Sequence, residues 1–437
     1  MDTVRVFAPA STGNIGPGFD VLGMALCGMG DTVTATRRAG PGVVIHAITG
    51  DGGALPKDAA TNTAGIAAQA VLDHLGCAEG VALTLHKDVP GTGLGSSAAS
   101  AVAAAFAVHT LFGEKLTRSA LVPLAAIAES RVSGGYFLDN IGPAMMGGVT
   151  WNHPDTREVV QLGSLDRAVI IVAIPDFPVW TKDARRVLPQ SIPMRDFISN
   201  MAQAAIMAWA VARQDVVRFG RAVHDVIIEP ARTPLIRGFA AVKAAALDAG
   251  ALGCSISGAG ASVFAVTDTE DAGAKIGAAM RAAFEQNSVA SQIRVTAIDP
   301  LGARVVANDT LHDAPETPRR RAEQGNVAAS MRLRTEQVAV ITGAARRHFG
   351  LDVAVWLFGS RADGARRGGD IDLYVETAIS DPAQALRAEL DFRTALALSL
   401  GEQRIDVVVH RVRTPLPVIA HVALRTGISL CAPEPQI

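Results

Sequence analysis

Residues 89–100 read VPGTGLGSSAAS, and a stretch with seven alanines between 96 and 111 follows directly. Glycines stand at 91, 93 and 95, and two serines come next. Glycine weakens regular structure and is favoured where backbone turns tightly or approaches another group closely. A helix start offers free N–H groups and a partial positive charge, which together suit a phosphate. A plain strand-to-helix turn is the alternative, and the loop alone does not separate the two. It is not a Walker A loop, because no lysine follows the last glycine, and its G-x-G-x-G spacing departs from the G-x-G-x-x-G dinucleotide fingerprint.

The rest of the chain supplies the context. With 437 residues, two or three domains are expected. A net charge of −2 and 49% hydrophobic residues give no sign of a nucleic-acid patch or a disordered tail, so no nucleic-acid partner is expected. Cys27, Cys77, Cys254 and Cys431 are scattered without metal-ligand spacing, which fits a reducing compartment. No apolar run is long enough to span a bilayer and the first residues lack a secretory pattern, so a cytoplasmic location without membrane contact is expected. Residues 311–330 are polar, with two prolines and an arginine run at 319–321, and read as a linker between a unit at 1–310 and a second at 331–437. In the first unit, VRVFAPAS, VALTLHKDVP and RAVIIVAIP read as strands, residues 96–113 and ISNMAQAAIMAWAVARQD as helices, and CSISGAGASVFAVTD as strand, glycine turn, strand. The mixture is α+β.

The glycine loop resembles the phosphate loop of the small-molecule kinases that act on galactose, homoserine and mevalonate. The residues that carry the likeness are Pro90, Gly91, Gly93, Leu94, Gly95, Ser96, Ser97 and Ala98. SGAGAS at 257–262, with Gly258 and Gly260, resembles that family's third motif, and APASTGNIGPGFD resembles its first in the form found in homoserine kinases. The resemblance implies a two-subdomain kinase fold, ribosomal S5-like plus ferredoxin-like, with ATP and Mg²⁺ as cofactors and L-homoserine as the phosphoryl acceptor. It implies Ser97 and Glu129 as metal ligands and Thr181 near the transferred phosphoryl group. It places Arg185 and Arg232 on the substrate carboxylate, and Asn14, Asp20 and Asn140 elsewhere around the substrate. Guanidinium groups suit a carboxylate because they grip it with two parallel hydrogen bonds. Two positions depart from the pattern: Phe137 stands where histidine is usual, and Arg237 where proline is usual. No aspartate is placed as a general base. Rival readings are a kinase for another small alcohol and a regulatory ATP-binding protein; the reading also admits a homodimer.

The second unit opens VAVWLFGSRADGARRGGDIDLYVE. Asp370 and Asp372 share one face of a strand by period two, and two close acids call for a cation. Gly359, Ser360 and the later Asp406 complete a resemblance to minimal nucleotidyltransferases of the polymerase-β-like superfamily. It implies a small α/β domain, a nucleotide at Gly359 and Ser360 and a metal on the three acids; the target of the transferred group is left open, with a protein one candidate, and a domain that binds nucleotide or a partner without turnover is the alternative.

Overall fold

The computed structural model describes residues 2–113, 115–133, 135–306, 333, 335–358, 371–400, 405–412, 423 and 427–431. The chain divides into two compact units between residues 316 and 317, within the stretch read as a linker.

The first unit begins β1 (Thr3–Gly13), β2 (Leu22–Arg38), β3 (Val43–Thr49), α1 (Thr63–Leu75), β4 (Gly80–His86) and α2 (Ser96–Leu111). It continues α3 (Arg118–Ser133), α4 (Leu138–Met146), β5 (Val149–Asn152), β6 (Val159–Gly163), β7 (Val169–Pro175), α5 (Thr181–Arg186), α6 (Met194–Ala212) and α7 (Val216–Arg221). After these come α8 (Ile228–Arg232), α9 (Phe239–Asp248), β8 (Gly253–Ile256), β9 (Val263–Thr267), α10 (Glu270–Gln286), β10 (Ser291–Thr296) and β11 (Arg304–Val305).

One sheet has the order β11-β1-β2-β4-β3, with β5 and β6 branching from β2. Its single parallel pair, β3 with β4, is joined by α1 as a crossover helix. Asn62 caps α1 by accepting from the Ala64 N–H, and Gly76 ends it in the left-handed conformation. The other sheet, β10-β7-β9-β8, is wholly antiparallel. Helices between its first two and last two strands in sequence give the ferredoxin-like arrangement. β7 explains its own unbroken apolar sequence. Ile170, Val172 and Ile174 enter one core while Ile171 and Ala173 enter another, so neither face meets water. α2 is likewise buried around its circumference, between α1, α3, α4 and the β1–β2 ladder. Alanine suits that place because its small side chain lets five neighbours approach while keeping high helix propensity.

The second unit contains α11 (Thr335–Phe349), β12 (Ala354–Phe358), β13 (Ile371–Thr377), α12 (Pro382–Leu400), β14 (Ile405–Arg411) and β15 (Ile428–Cys431). Its sheet runs β14-β13-β12-β15, with β13 and β14 parallel. Ile341, Ala345, Phe349, Phe392 and Leu396 from the helices bury Leu373 and Val375 on one face. Among the described residues no helix is long and apolar enough to cross a membrane.

Candidate active site

The glycine loop is closed from below and packed from the side. Gly95 caps α2 with φ +67°, and a glycine there offers no side chain to the first-turn N–H groups. Ala99 makes the first intrahelical bond, to Gly95 O, so the amides of residues 96–98 lie ahead of the ladder. Gly93 has φ +90°, and a Cβ there would stand 2.4 Å from Ser257 O and 2.6 Å from Gly260 O. Only glycine fits. The turn at 257–262 is thus pressed against the loop, with Ser257 Oγ donating to Gly93 O and the Ser262 N–H to Thr92 O. Of the two helix-start serines, Ser96 donates its hydroxyl to Val89 O and closes the neck of the loop, while Ser97 follows it in the first turn. Pro90 and Gly91 form the outer lip, where Gly91 is exposed.

The first motif arrives at the same place. Ser11 N–H donates to Leu94 O, and Ser11 Oγ donates to Asn140 Oδ1 at 3.0 Å. The Asn140 amide therefore sits against both Gly13 and Gly95. Asn14, in the left-handed region at φ +69°, donates from Nδ2 to Gly258 O and accepts the Asp20 N–H on Oδ1. Both ends of that amide hold the loop in shape. Arg185 NH1 and NH2 donate to the two Asp20 carboxylate oxygens at 3.0 and 2.6 Å. Its guanidinium lies 3.7 Å from the Phe137 ring centre, so Phe137, at the usual histidine position, stacks on this arginine. Arg232 is buried, donating from Nε to Ala184 O and from NH1 to Gly258 O. Burial, and then the neighbouring Arg185, pull its pKa down to about 10. Phe19 lies beneath both guanidinium groups, at 5.4 and 5.1 Å. Thr181 starts α5 one turn before Arg185. Arg237 is exposed, away from these contacts.

In the second unit, Asp372 and Asp406 are direct partners across the parallel β13–β14 register, so both leave the same sheet face. Tyr374 and Glu376 share it, and the Tyr374 hydroxyl lies 2.9 Å from Glu376 Oε1 and 3.0 Å from His410 Nδ1. Gly359, Ser360 and Asp370 lie outside the described residues, among which these two aspartates are not part of any three-acid cluster.

Residues 62–148 match the GHMP kinases N terminal domain and residues 207–286 the GHMP kinases C terminal domain. Homoserine kinase of Arabidopsis thaliana is 45% identical over 315 residues, which cover 70% of this chain and 85% of that protein. The chain belongs to the homoserine kinase family. Homoserine kinase of Methanocella arvoryzae is 36% identical over 71% of this chain and 99% of its own. The crystal structure of homoserine kinase from Cytophaga hutchinsonii is 40% identical, covers 70% of this chain and 98% of its own, and superposes with a TM-score of 0.67. Like the rest of the homoserine kinase family, the chain is a phosphotransferase, and it draws on ATP.

One buried acid of this candidate site was not singled out from sequence. Asp139 is buried beside Asn140, and its Oδ1 has no partner among the described residues. Burial first, then the charges of Asp20 and Glu129, push its pKa up to about 7 against the pull of Arg185. The unfolded chain releases this proton near the ordinary 3.8, the folded chain only near 7. Between those values the folded state binds the extra proton, so stability falls as pH rises and levels off above about 7. Asp139→Asn flattens that decline in Tm and raises Tm in mildly alkaline buffer. A wild-type slope in the variant overturns the assignment.

Proposed function

We propose that the first unit transfers the γ-phosphoryl group of ATP to the side-chain hydroxyl of L-homoserine, giving O-phospho-L-homoserine for threonine biosynthesis. The carrying observation is the Arg185 Nε, which is buried and has no partner among the described residues. Asp20 takes the end of the guanidinium fork, which leaves its side edge for a second carboxylate. A buried N–H without an acceptor is costly, so that edge is a receptor for a group from outside the chain. The Asp20 and Asp139 carboxyls nearby suit the ammonium of the same amino acid, and Arg232 provides a second positive charge for its carboxylate. Asn140, against the helix start, orients the hydroxyl toward the phosphates. Amides at the start of α2, with Gly258 and Gly260 behind, hold the triphosphate, and Thr181 lies toward its end.

Ser97 and Glu129 would hold Mg²⁺: both offer hard oxygen donors, and Glu129 adds to the repulsion already felt by Asp139. When bound, the ion neutralises charge on the β- and γ-phosphates. Phosphoryl transfer requires chiefly positioning and charge neutralisation, and the residues here do both without an assigned base.

For the second unit we infer a Mg²⁺-dependent nucleotidyltransferase-like activity toward a protein. The observation in favour is the register pairing of Asp372 with Asp406, which puts two carboxylates side by side as two-metal transfer requires. One preparation of the full chain tests both readings. Homoserine-dependent ADP release supports the kinase; ADP release indifferent to homoserine defeats it. Pyrophosphate release that disappears in Asp372→Asn/Asp406→Asn supports the second activity, and its persistence in that variant defeats it.

A further inference from the structure

The phosphate loop carries no lysine, yet a lysine stands immediately before it. Lys87 is buried, and its ammonium donates to the Asp31 carboxylate, to Ser96 O at 3.0 Å and to Ser100 Oγ at 2.8 Å. Three acceptors engage its three hydrogens, so it is a bracket behind the loop and not a hand reaching to the phosphates. Asp31, 1% exposed, completes the bracket. Its Oδ1 accepts the N–H groups of Asp88 and Val89 at 3.1 and 3.2 Å, and its Oδ2 accepts the Ser100 hydroxyl at 2.7 Å. The pair therefore grips the entrance of the loop at 88–89 and its exit at 96–100. Because the pair is neutral overall, it adds little attraction for an anion.

We propose that Asp31 and Lys87 are positioning residues for ATP. They fix the two ends of the glycine loop so that the amides at the start of α2 converge on the phosphates. Seven residues, three of them glycine, lie between Val89 and Gly95 inclusive. A segment so free in the unfolded chain must be ordered by something, and glycine supplies no side chain to do it. A ligand that meets a preordered loop does not have to order it on binding. This proposal rests on the loop being the phosphate site.

The test measures Kd for ATP by calorimetry, KM for each substrate, and Tm, on full-length Lys87→Met, Asp31→Leu/Lys87→Met and Ser97→Ala. Lys87→Met leaves Asp31 buried and unpaired, which lowers Tm; the double variant removes both charges and recovers part of it. If the proposal holds, Kd for ATP rises about tenfold in the double variant as well as the single, as loss of charge-assisted bonds to the loop predicts. KM for homoserine stays within about twofold, because Arg185 and Arg232 are untouched. A double variant that binds ATP as the wild type does overturns the proposal and leaves the pair a packing feature. Ser97→Ala whose affinity for ATP is unchanged at every Mg²⁺ concentration instead overturns the placement of the metal-bound phosphates at this helix start, on which the proposal rests. Should Lys87→Met fail to fold, the double variant alone decides.

Discussion

Arg185→Met lowers kcat/KM for L-homoserine by roughly a hundredfold, the scale expected when one partner of a half-buried, hydrogen-bonded charge pair is removed. Two contacts and one unmet donor make this arginine more than a surface charge. Its fork is held by Asp20, its plane is set by the Phe137 ring, and its Nε is buried without an acceptor among the described residues. A methionine of similar reach keeps the apolar contact with Phe137 and loses the donors. The discriminating substrate is 3-aminopropan-1-ol, which is homoserine without its carboxylate. Wild-type enzyme should strongly prefer homoserine over it, and the variant should lose most of that preference, because of the two guanidinium groups that tell them apart only Arg232 remains. KM for ATP should stay close to wild type. If the variant keeps the wild-type preference, the carboxylate is bound elsewhere and Arg185 merely orders Asp20.

The parts of the fold legible in the sequence are those whose physics is local. The glycine loop announces itself because positive φ at Gly93 and Gly95 admits almost nothing else. β7 and α2 are read from apolar runs that hold one meaning wherever they pack. The bracket behind the loop is invisible by comparison. Asp31 and Lys87 lie 56 residues apart and would each pass for solvated charges until the ladder from β2 to β4 brings them together. Asp139 is a similar case: it shares a D-N-x-x-P turn with Asn140, and only its burial against Gly13, which the sequence does not display, gives the acid its character. Asn14 illustrates the converse. The motif points to a substrate contact, and the fold engages both ends of its amide with backbone. Motifs thus locate the site, while burial assigns the work within it.

Glu129→Gln isolates the metal role from the structural one. The amide keeps the shape of the side chain and loses the charge that would help hold Mg²⁺. A fall in kcat of at least about a hundredfold is expected, comparable to removing one electrostatic contact to developing charge in a transition state. The Mg²⁺ concentration for half-maximal rate should rise at the same time. Stability should move the other way. Glu129 is one of the charges that hold the Asp139 proton in place, so removing it lets Asp139 ionise at lower pH and reduces the penalty of burying it. Because a raised carboxyl pKa weakens the folded state above the unfolded value, lowering it raises Tm near pH 8. Slower turnover in a sturdier protein is the pattern of a group retained for chemistry at some expense of stability. Near-normal turnover would remove Glu129 from the metal site, and a fall in both kcat and Tm would make it a structural residue.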